Sequence, residues 1–479
     1  MENLEKELTE YLESLSLGDL RTVGRHEGVS ISIIYSKKSQ LIEGIADIIL
    51  GRMEPSQRSN RGAPVKSDYL EPEITQRLEE FRLRLVRAPE GQKRMMGVAS
   101  PEAERSVYDD PVYKGILEIT QGGYGFLRAN NCQPSSGNDV FIAAPVIHSL
   151  RLREGDFVVC TVRPRQKNDS PAMETIYSVN GLPIGKYENR PQFDNLTARY
   201  ADEKICLSEG SDALSLRVLD LLIPIGRGQR ALIIAPPKAG KTTLLKDIAR
   251  AIDMYHSDIE LIVLLIDERP EEVTDIRSSV ERASVVYSTF DEGAEHHVRA
   301  AELTLAHAKR LAEHGKDVVI LLDSLTKLTR AYNFLTESSG KTLSGGLDAG
   351  AFAEPKRFFG AARATREAGS ITILATALVE TGSRMDDIIY EEFKGTGNAD
   401  IFLSRDLAER RIFPAIDIRR SGTRKEELLL SKEELAAVYK LRERGIVENS
   451  AGFFEMLRRT GTNADFISRL PEWLRVYKN

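Results

Sequence analysis

Between Ala235 and Thr243 the chain reads Ala-Pro-Pro-Lys-Ala-Gly-Lys-Thr-Thr, a run that sets backbone freedom, a cation and hydroxyls in the order that holding a polyphosphate requires. The apolar stretch Ala231-Leu-Ile-Ile-Ala235 before it reads as a strand, and Leu244 to Ile252 after it as a helix. In that setting the loop Pro237, Lys238, Ala239 and Gly240 turns its backbone N–H groups, with the positive end of the following helix, toward the phosphates. Lys241 reaches the β and γ phosphates, and Thr242, followed by Thr243, offers its hydroxyl to Mg²⁺. The general pattern begins with Gly and this one with Ala235. A bare Gly-Lys-Thr is common by chance, so the order strand, loop, helix carries the reading. ATP and Mg²⁺ are the expected cofactors.

Hydrolysis also needs a carboxylate for the metal and a group that positions water, normally acids at the C-terminal ends of neighbouring strands. Leu264-Leu-Ile-Asp267-Glu268 and Ile320-Leu-Leu-Asp323-Ser324 each end an apolar run in an acid. Either could supply the metal ligand, and a helix N-cap is the plain alternative for each. Spacing alone leaves the assignment open.

A second kind of chemistry is written in Gly122-Gly-Tyr124-Gly-Phe126-Leu-Arg128. On a strand the alternation puts Tyr124 and Phe126 on one face, with a glycine between them that lets a nucleobase approach. The alternative is that both rings fill a core. Arg128, Asp139, Arg163, Arg165 and Lys167 of the same segment add backbone contacts and hydrogen bonding to base edges, which favours a single-stranded nucleic acid. Two further stretches, Ser338 to Gly346 and Glu380 to Met385, read as loops, the second following a strand over Ile371 to Ala375; such loops lie on the ligand-facing edge of a parallel sheet.

The elements that must position these groups follow from composition. A chain of 479 residues, 41% hydrophobic, is long enough for two or three domains at about 100–200 residues each. Its net charge of −6 excludes a globally basic coat protein, so any nucleic-acid site is local. Residues 1–51 set Leu4, Leu8, Leu12 and Leu15, then Leu41, Ile42, Ile45, Ile48 and Ile49, at helical spacing, with Ser39 placed to cap the second run. Residues 52–110 read as a charged linker, with one short helix possible over Ile74, Leu78, Phe81 and Leu85. Residues 111–182 hold short β-rich pieces, Tyr113–Ile119, Gly125–Arg128, Asp139–Ala143 and Phe157–Arg163, expected to form a small barrel. In residues 183–479 buried runs alternate with helices, the signature of a parallel sheet covered on both faces. Cys132, Cys160 and Cys206 lie far apart and read as buried thiols of a reducing compartment. The acidic N-terminus lacks the apolar stretch of a secretory signal, and no apolar run approaches the roughly 20 residues of a membrane helix. A cytoplasmic protein is expected, with no membrane partner.

These motifs together resemble the bacterial transcription termination factor Rho family, through Pro224-Ile-Gly-Arg-Gly-Gln229, the loop Ala235 to Thr242, Asp267-Glu-Arg269-Pro-Glu-Glu-Val273, Lys356 to Arg363 and Tyr390-Glu-Glu-Phe-Lys394-Gly-Thr-Gly-Asn398. The resemblance covers about Tyr113 to Gly422 and somewhat beyond, and an initial Ala in the loop is a family trait. It implies three parts: a small N-terminal helical module, an OB-type β-barrel and a C-terminal α/β RecA-like P-loop ATPase domain. It further implies an RNA-dependent ATPase, a 5′-to-3′ translocase and RNA–DNA helicase, acting as a homohexamer on nascent, pyrimidine-rich RNA and on the RNA polymerase elongation complex. Asp323 would then be the metal acid beside Thr242, and Glu268 the residue that activates water, with Arg269 following it. Phe413 would stack on adenine, and Arg424, assisted by Arg411, would be an arginine finger toward a neighbouring subunit. Tyr124, Phe126, Arg128, Asp139 and Arg163 would form the primary RNA site. Lys341 and Ser344 would belong to one pore loop, Ser383 and Arg384 to a second, with Lys394 nearby, as secondary RNA contacts. The sequence departs from the family at Met173, where an aromatic often encloses a base, and the linker and the tail after about Phe453 show no clear match.

Overall fold

A computed structural model of the chain describes residues 8–9, 11–27, 38–49, 74, 112–129, 131–134, 139–163, 170–183, 186–187, 190–337 and 345–476. Two compact units divide it, Met1–Pro111 and Val112–Asn479. In the first, helices Leu17–Glu27 and Lys38–Ile49 pack through Leu20, Val23, Ile42 and Ile45, with Leu8 and Leu12 completing the apolar cluster. Helix Leu17–Glu27 was not expected from the leucine spacing; the Ser16 hydroxyl accepts the Asp19 N–H (3.2 Å) at its start. Ser39 is not a cap, because the second helix already begins at Lys38. Ile74 joins this core, while the rest of the helical run expected to Leu85 lies outside the described residues.

The second unit begins with β1 Val112–Ile119, β2 Gly125–Arg128, β3 Val140–Ile142, β4 Phe157–Arg163, β5 Ala172–Val179 and β6 Leu182–Pro183. They run in the order β3-β2-β1-β4-β5-β6, and a β3–β5 pairing closes the sheet into a barrel. Alternation turns Leu117, Leu127, Val140, Ile142, Val158 and Cys160 inward. Gly125 also faces inward, which corrects the idea that its role is to admit a base: a Cβ there would stand 2.6 Å from Leu117 and 2.7 Å from the Glu118 carbonyl. Only glycine lets β1 and β2 meet over that core.

After the barrel come β7 Ala198–Arg199, β8 Arg230–Ala235, β9 Ile259–Glu268, β10 Ser284–Thr289, β11 Asp317–Asp323, β12 Ala364–Thr365, β13 Ile371–Leu378, β14 Ala399–Phe402 and β15 Gly422–Thr423. Seven of them form one sheet in the order β10-β9-β11-β13-β8-β14-β15, parallel except for β15. Its central strands β8, β9, β11 and β13 are buried on both faces. Helices Leu214–Leu222 and Lys241–Tyr255 cover one face together with tail residues Phe453, Phe454 and Phe466. Helices Ala294–Glu313, Leu325–Leu335 and Arg384–Phe393 cover the other. The tail is therefore part of the sheet's core, and Trp473 stacks on Phe466 with ring centroids 6.4 Å apart. Among the described residues no helix is long and apolar enough to cross a membrane. Burial pushes the Cys132 and Cys160 thiols up to about 12, whereas Cys206 is exposed, contrary to expectation.

Barrel and sheet are joined by specific polar contacts. The Asn131 side chain donates to the Tyr287 carbonyl and accepts the Tyr287 N–H (2.6 Å), so one amide satisfies both backbone groups of a residue on the edge strand β10. Buried Glu313 meets Arg153 (2.9 Å) and Arg310 (2.8 Å), while Arg190 lies 3.8 Å from it and binds Asp156 at 2.6 Å. Asn131→Ala leaves the two Tyr287 groups without their partner, and a loss of about 1–3 kcal/mol is expected from urea unfolding midpoints. A midpoint equal to the parent's would mean that water replaces the amide at no cost.

Candidate nucleotide and RNA sites

The turn after β8 is shaped by two left-handed residues, Lys238 at φ 66° and Gly240 at φ 89°, and Gly240 is the N-cap of helix Lys241–Tyr255. No side chain occupies that cap, so the first N–H groups of the helix face a cavity of about 940 Å³. Pro237, Lys238, Gly240, Lys241, Thr242 and Thr243 line it from the loop, and Glu268, Arg269, Glu272 and Lys327 from across it. Ala239 is buried beneath. The Lys241 ammonium lies 2.6 Å from Asp323 and 3.2 Å from Glu268. Burial opposes its charge, but these carboxylates more than offset burial and hold its pKa above the ordinary lysine value.

Both acids ending apolar runs thus converge on one lysine, and neither is a helix cap. Ser324, not Asp323, caps helix Leu325–Leu335, accepting the Lys327 N–H, and Arg269 stands at the N-cap of helix Pro270–Arg277. Asp323 is 1% exposed and accepts a hydrogen bond from the Thr376 hydroxyl of β13 (2.8 Å). Glu268 is 4% exposed; burial first, then the Asp323 charge, pushes its carboxyl above the usual range, against Lys241 and Lys327. Lys327, 2.8 Å from Glu268, escaped the sequence reading, although it stands one helical turn past Asp323, where a side chain returns to the same end of the sheet. Glu272, 3.4 Å from the Thr242 hydroxyl, and Phe290 and Thr381, in the cavity wall, were missed as well.

A second cavity of about 420 Å³ shares Gly240 and Thr243 with the first and is lined by Leu214, Leu403, Phe413, Pro414 and Ile416. Phe413, 43% exposed, stands where a flat apolar group would follow from the phosphates, and Arg458 of the tail holds its carbonyl at 2.6 Å. Arg411 and Arg424 line neither cavity. The Arg424 N–H is fixed on the Asn398 carbonyl (2.8 Å). Thr381 receives the Ser383 N–H (3.1 Å) and donates to Asp386, so the loop carrying Ser383 and the exposed Arg384 abuts the first cavity, whose wall Thr381 joins. Lys394 is exposed and pairs with Glu391 (3.1 Å). Lys341, Ser344, Arg165 and Lys167 lie outside the described residues.

On the barrel, Tyr124 and Phe126 point away from the core while Gly125 and Leu127 point in. Phe141 of β3, opposite Phe126 in register, completes a cluster of three rings with centroids 5.7–5.9 Å apart. The sequence reading omitted Phe141, yet the alternation Val140-Phe141-Ile142 between two buried residues marks it as outward. Tyr124 is 39% exposed. Arg128 lies 5.0 Å over the Phe126 ring and is held by Glu118 and by buried Asp139 (2.6 Å). Asp139 therefore orients Arg128 from beneath. Arg163 is exposed at the end of β4, and Met173 packs against the barrel core.

Residues 113–184 match the Rho termination factor RNA-binding domain, and residues 215–423 match the nucleotide-binding domain of the ATP synthase alpha/beta family. Transcription termination factor Rho of Bacillus subtilis (strain 168) is 54% identical over 367 residues, which span 75% of this chain and 85% of the relative. That of Aquifex aeolicus (strain VF5) is 53% identical, spanning 74% and 84%. This chain belongs to the Rho family. It is a transcription termination factor that binds RNA through its barrel and hydrolyses ATP on its α/β domain. A solved ATPase from the type III secretion system of pathogenic bacteria is 26% identical, with a TM-score of 0.48 over 66% of this chain and 87% of its own.

Proposed function

We propose that the chain works in the cytoplasm as a homohexameric, Mg²⁺- and ATP-driven translocase that loads on pyrimidine-rich nascent RNA, moves 5′ to 3′ and releases the transcript from RNA polymerase. One observation carries the reading of a ring. Lys241, Glu268 and Asp323 converge on a single cavity, whereas Arg424 and Arg411, the cations suited to stabilise the transferring phosphoryl group, line neither that cavity nor the apolar one beside it. A site built between subunits accounts for both.

In this reading Lys241 and the loop N–H groups bind the phosphates, Phe413 takes the base, and Glu268 removes a proton from the attacking water. The hydroxyl of Thr242 and the carboxylate of Asp323 are hard oxygen donors suited to Mg²⁺, which would neutralise phosphate charge. Ser383 and Arg384, with Lys341 and Ser344, would follow RNA in the pore. Because Thr381 belongs both to the phosphate wall and to the loop of Ser383, a change at the phosphates reaches that loop through one residue.

The test is the ATPase rate with and without pyrimidine-rich single-stranded RNA, in the parent and in Phe126→Ala. RNA should stimulate the parent. Phe126→Ala should require about 5- to 150-fold more RNA, the equivalent of one lost stacking contact of about 1–3 kcal/mol, with ATP affinity unchanged. Equal parent rates with and without RNA would sink the translocase reading.

A further inference from the structure

The barrel holds a second recess beside the ring cluster. A cavity of about 520 Å³ lies between the turn that joins β1 to β2, the helix Ala144–Ser149 and residues Arg190 to Gln192. Its floor is apolar, from Ile119, Ile147 and Leu152, and its rim holds three arginines and, among the described residues, no carboxylate. Two of them are committed: Arg153 to Glu313 and Arg190 to Asp156. The third, Arg151, is exposed and has no ion-pair partner among the described residues.

The backbone at Arg151 supplies an independent observation. The Arg151 N–H donates to the His148 carbonyl (3.2 Å) and the Leu152 N–H to the Ile147 carbonyl (3.0 Å), the paired bonds that end a helix with one left-handed residue. Arg151 is that residue, at φ 49°. Glycine, or failing that asparagine, fits there with the least strain, so a long cationic side chain at this place serves the recess rather than the turn.

We propose that this recess takes the RNA nucleotide next to those stacked on Tyr124 and Phe126, its base and ribose against the apolar floor and its phosphodiester on Arg151. The proposal rests on the reading of the ring cluster as the RNA face. Continuity favours RNA over a free anion: Gly123 forms the lip of the recess and Tyr124, the next residue, carries the first ring. At φ 77° and without a side chain, Gly123 leaves the passage between them open. A strand leaving the rings therefore meets apolar surface and a cation together, the two things a nucleotide presents surfaces to.

Arg151→Asn keeps the left-handed turn and removes the cation. Binding of a ten-nucleotide and a two-nucleotide pyrimidine RNA should be measured against salt concentration, with RNA-free ATPase rate and thermal midpoint as checks on the fold. For the longer RNA we expect about five- to ten-fold weaker binding and a log K against log salt slope shallower by about 0.7, one phosphate contact on a single strand. The dinucleotide should bind as in the parent, and Arg151→Lys should restore the slope. Parent-like affinity and slope in Arg151→Asn, with Phe126→Ala impaired, would overturn the recess alone. Parent-like binding in both variants would remove the ring face as well. A dinucleotide weakened as much as the longer RNA would place Arg151 within the ring face and overturn the separate subsite.

Discussion

Glu268→Gln is expected to keep ATP affinity and to lower turnover by about 10²–10⁴. Glutamine has the same shape, and its amide oxygen can still accept from Lys327 and Lys241, so the cavity wall and the phosphate contacts survive. What disappears is basicity. Burial and the Asp323 charge hold the Glu268 carboxyl above the usual range, closer to the pH at which a general base is most effective. The sign of the pH effect follows. As pH falls through that raised value the carboxyl takes up a proton and can no longer accept one from water, so the parent's rate drops on the acid side. The variant has no such limb. Nucleotide titration beside steady-state phosphate release separates the two effects, and unchanged turnover would move the base to another acid.

Arg424→Ala should cost about 10³–10⁵ in turnover, because phosphoryl transfer leaves the protein little to supply except position and charge. The Arg424 backbone N–H on Asn398 remains in the variant, so β14 and β15 stay paired and the loss belongs to the guanidinium. The decisive form of the test is mixing. Arg424→Ala subunits keep an intact phosphate loop, and Lys241→Ala subunits keep an intact finger, so a mixture should regain activity that neither has alone. A mixed rate no higher than the two separate rates together would return Arg424 to a structural part in its own subunit.

The loop before Lys241 was legible in the sequence because its geometry is local: a strand ending at Ala235, a five-residue loop with Lys238 and Gly240 left-handed, and a helix from Lys241 follow one another directly. The two acids were legible as strand ends but not as partners, since the order β9-β11-β13-β8 that brings them to one lysine is set by crossovers. Lys327 and Phe141 were missed for the same reason in miniature. Each lies close to a residue that was singled out, and each acquires its meaning from a helical turn or a strand register that brings it back. Gly125 shows the reverse error, a correct residue with the wrong reason, because alternation was applied to its neighbours and not to the glycine itself. The phenylalanines of the tail carried no motif, and only packing shows that they complete one face of the sheet.

The Asn131 clamp on Tyr287 has a consequence for how this chain can be cut. β10 ends the seven-stranded sheet, and an uncovered outer strand is a template on which other chains can add. With the barrel in place, a side-chain amide occupies one N–H and one C=O of that strand as a neighbouring backbone would, and offers nothing further to extend. An ATPase fragment starting after Pro183 would lose that cover, and Glu313 would lose Arg153. Such a fragment is a poor surrogate for the enzyme: its tendency to self-associate would be a property of the truncation, and the natural piece to isolate for solution work begins at the first strand of the barrel.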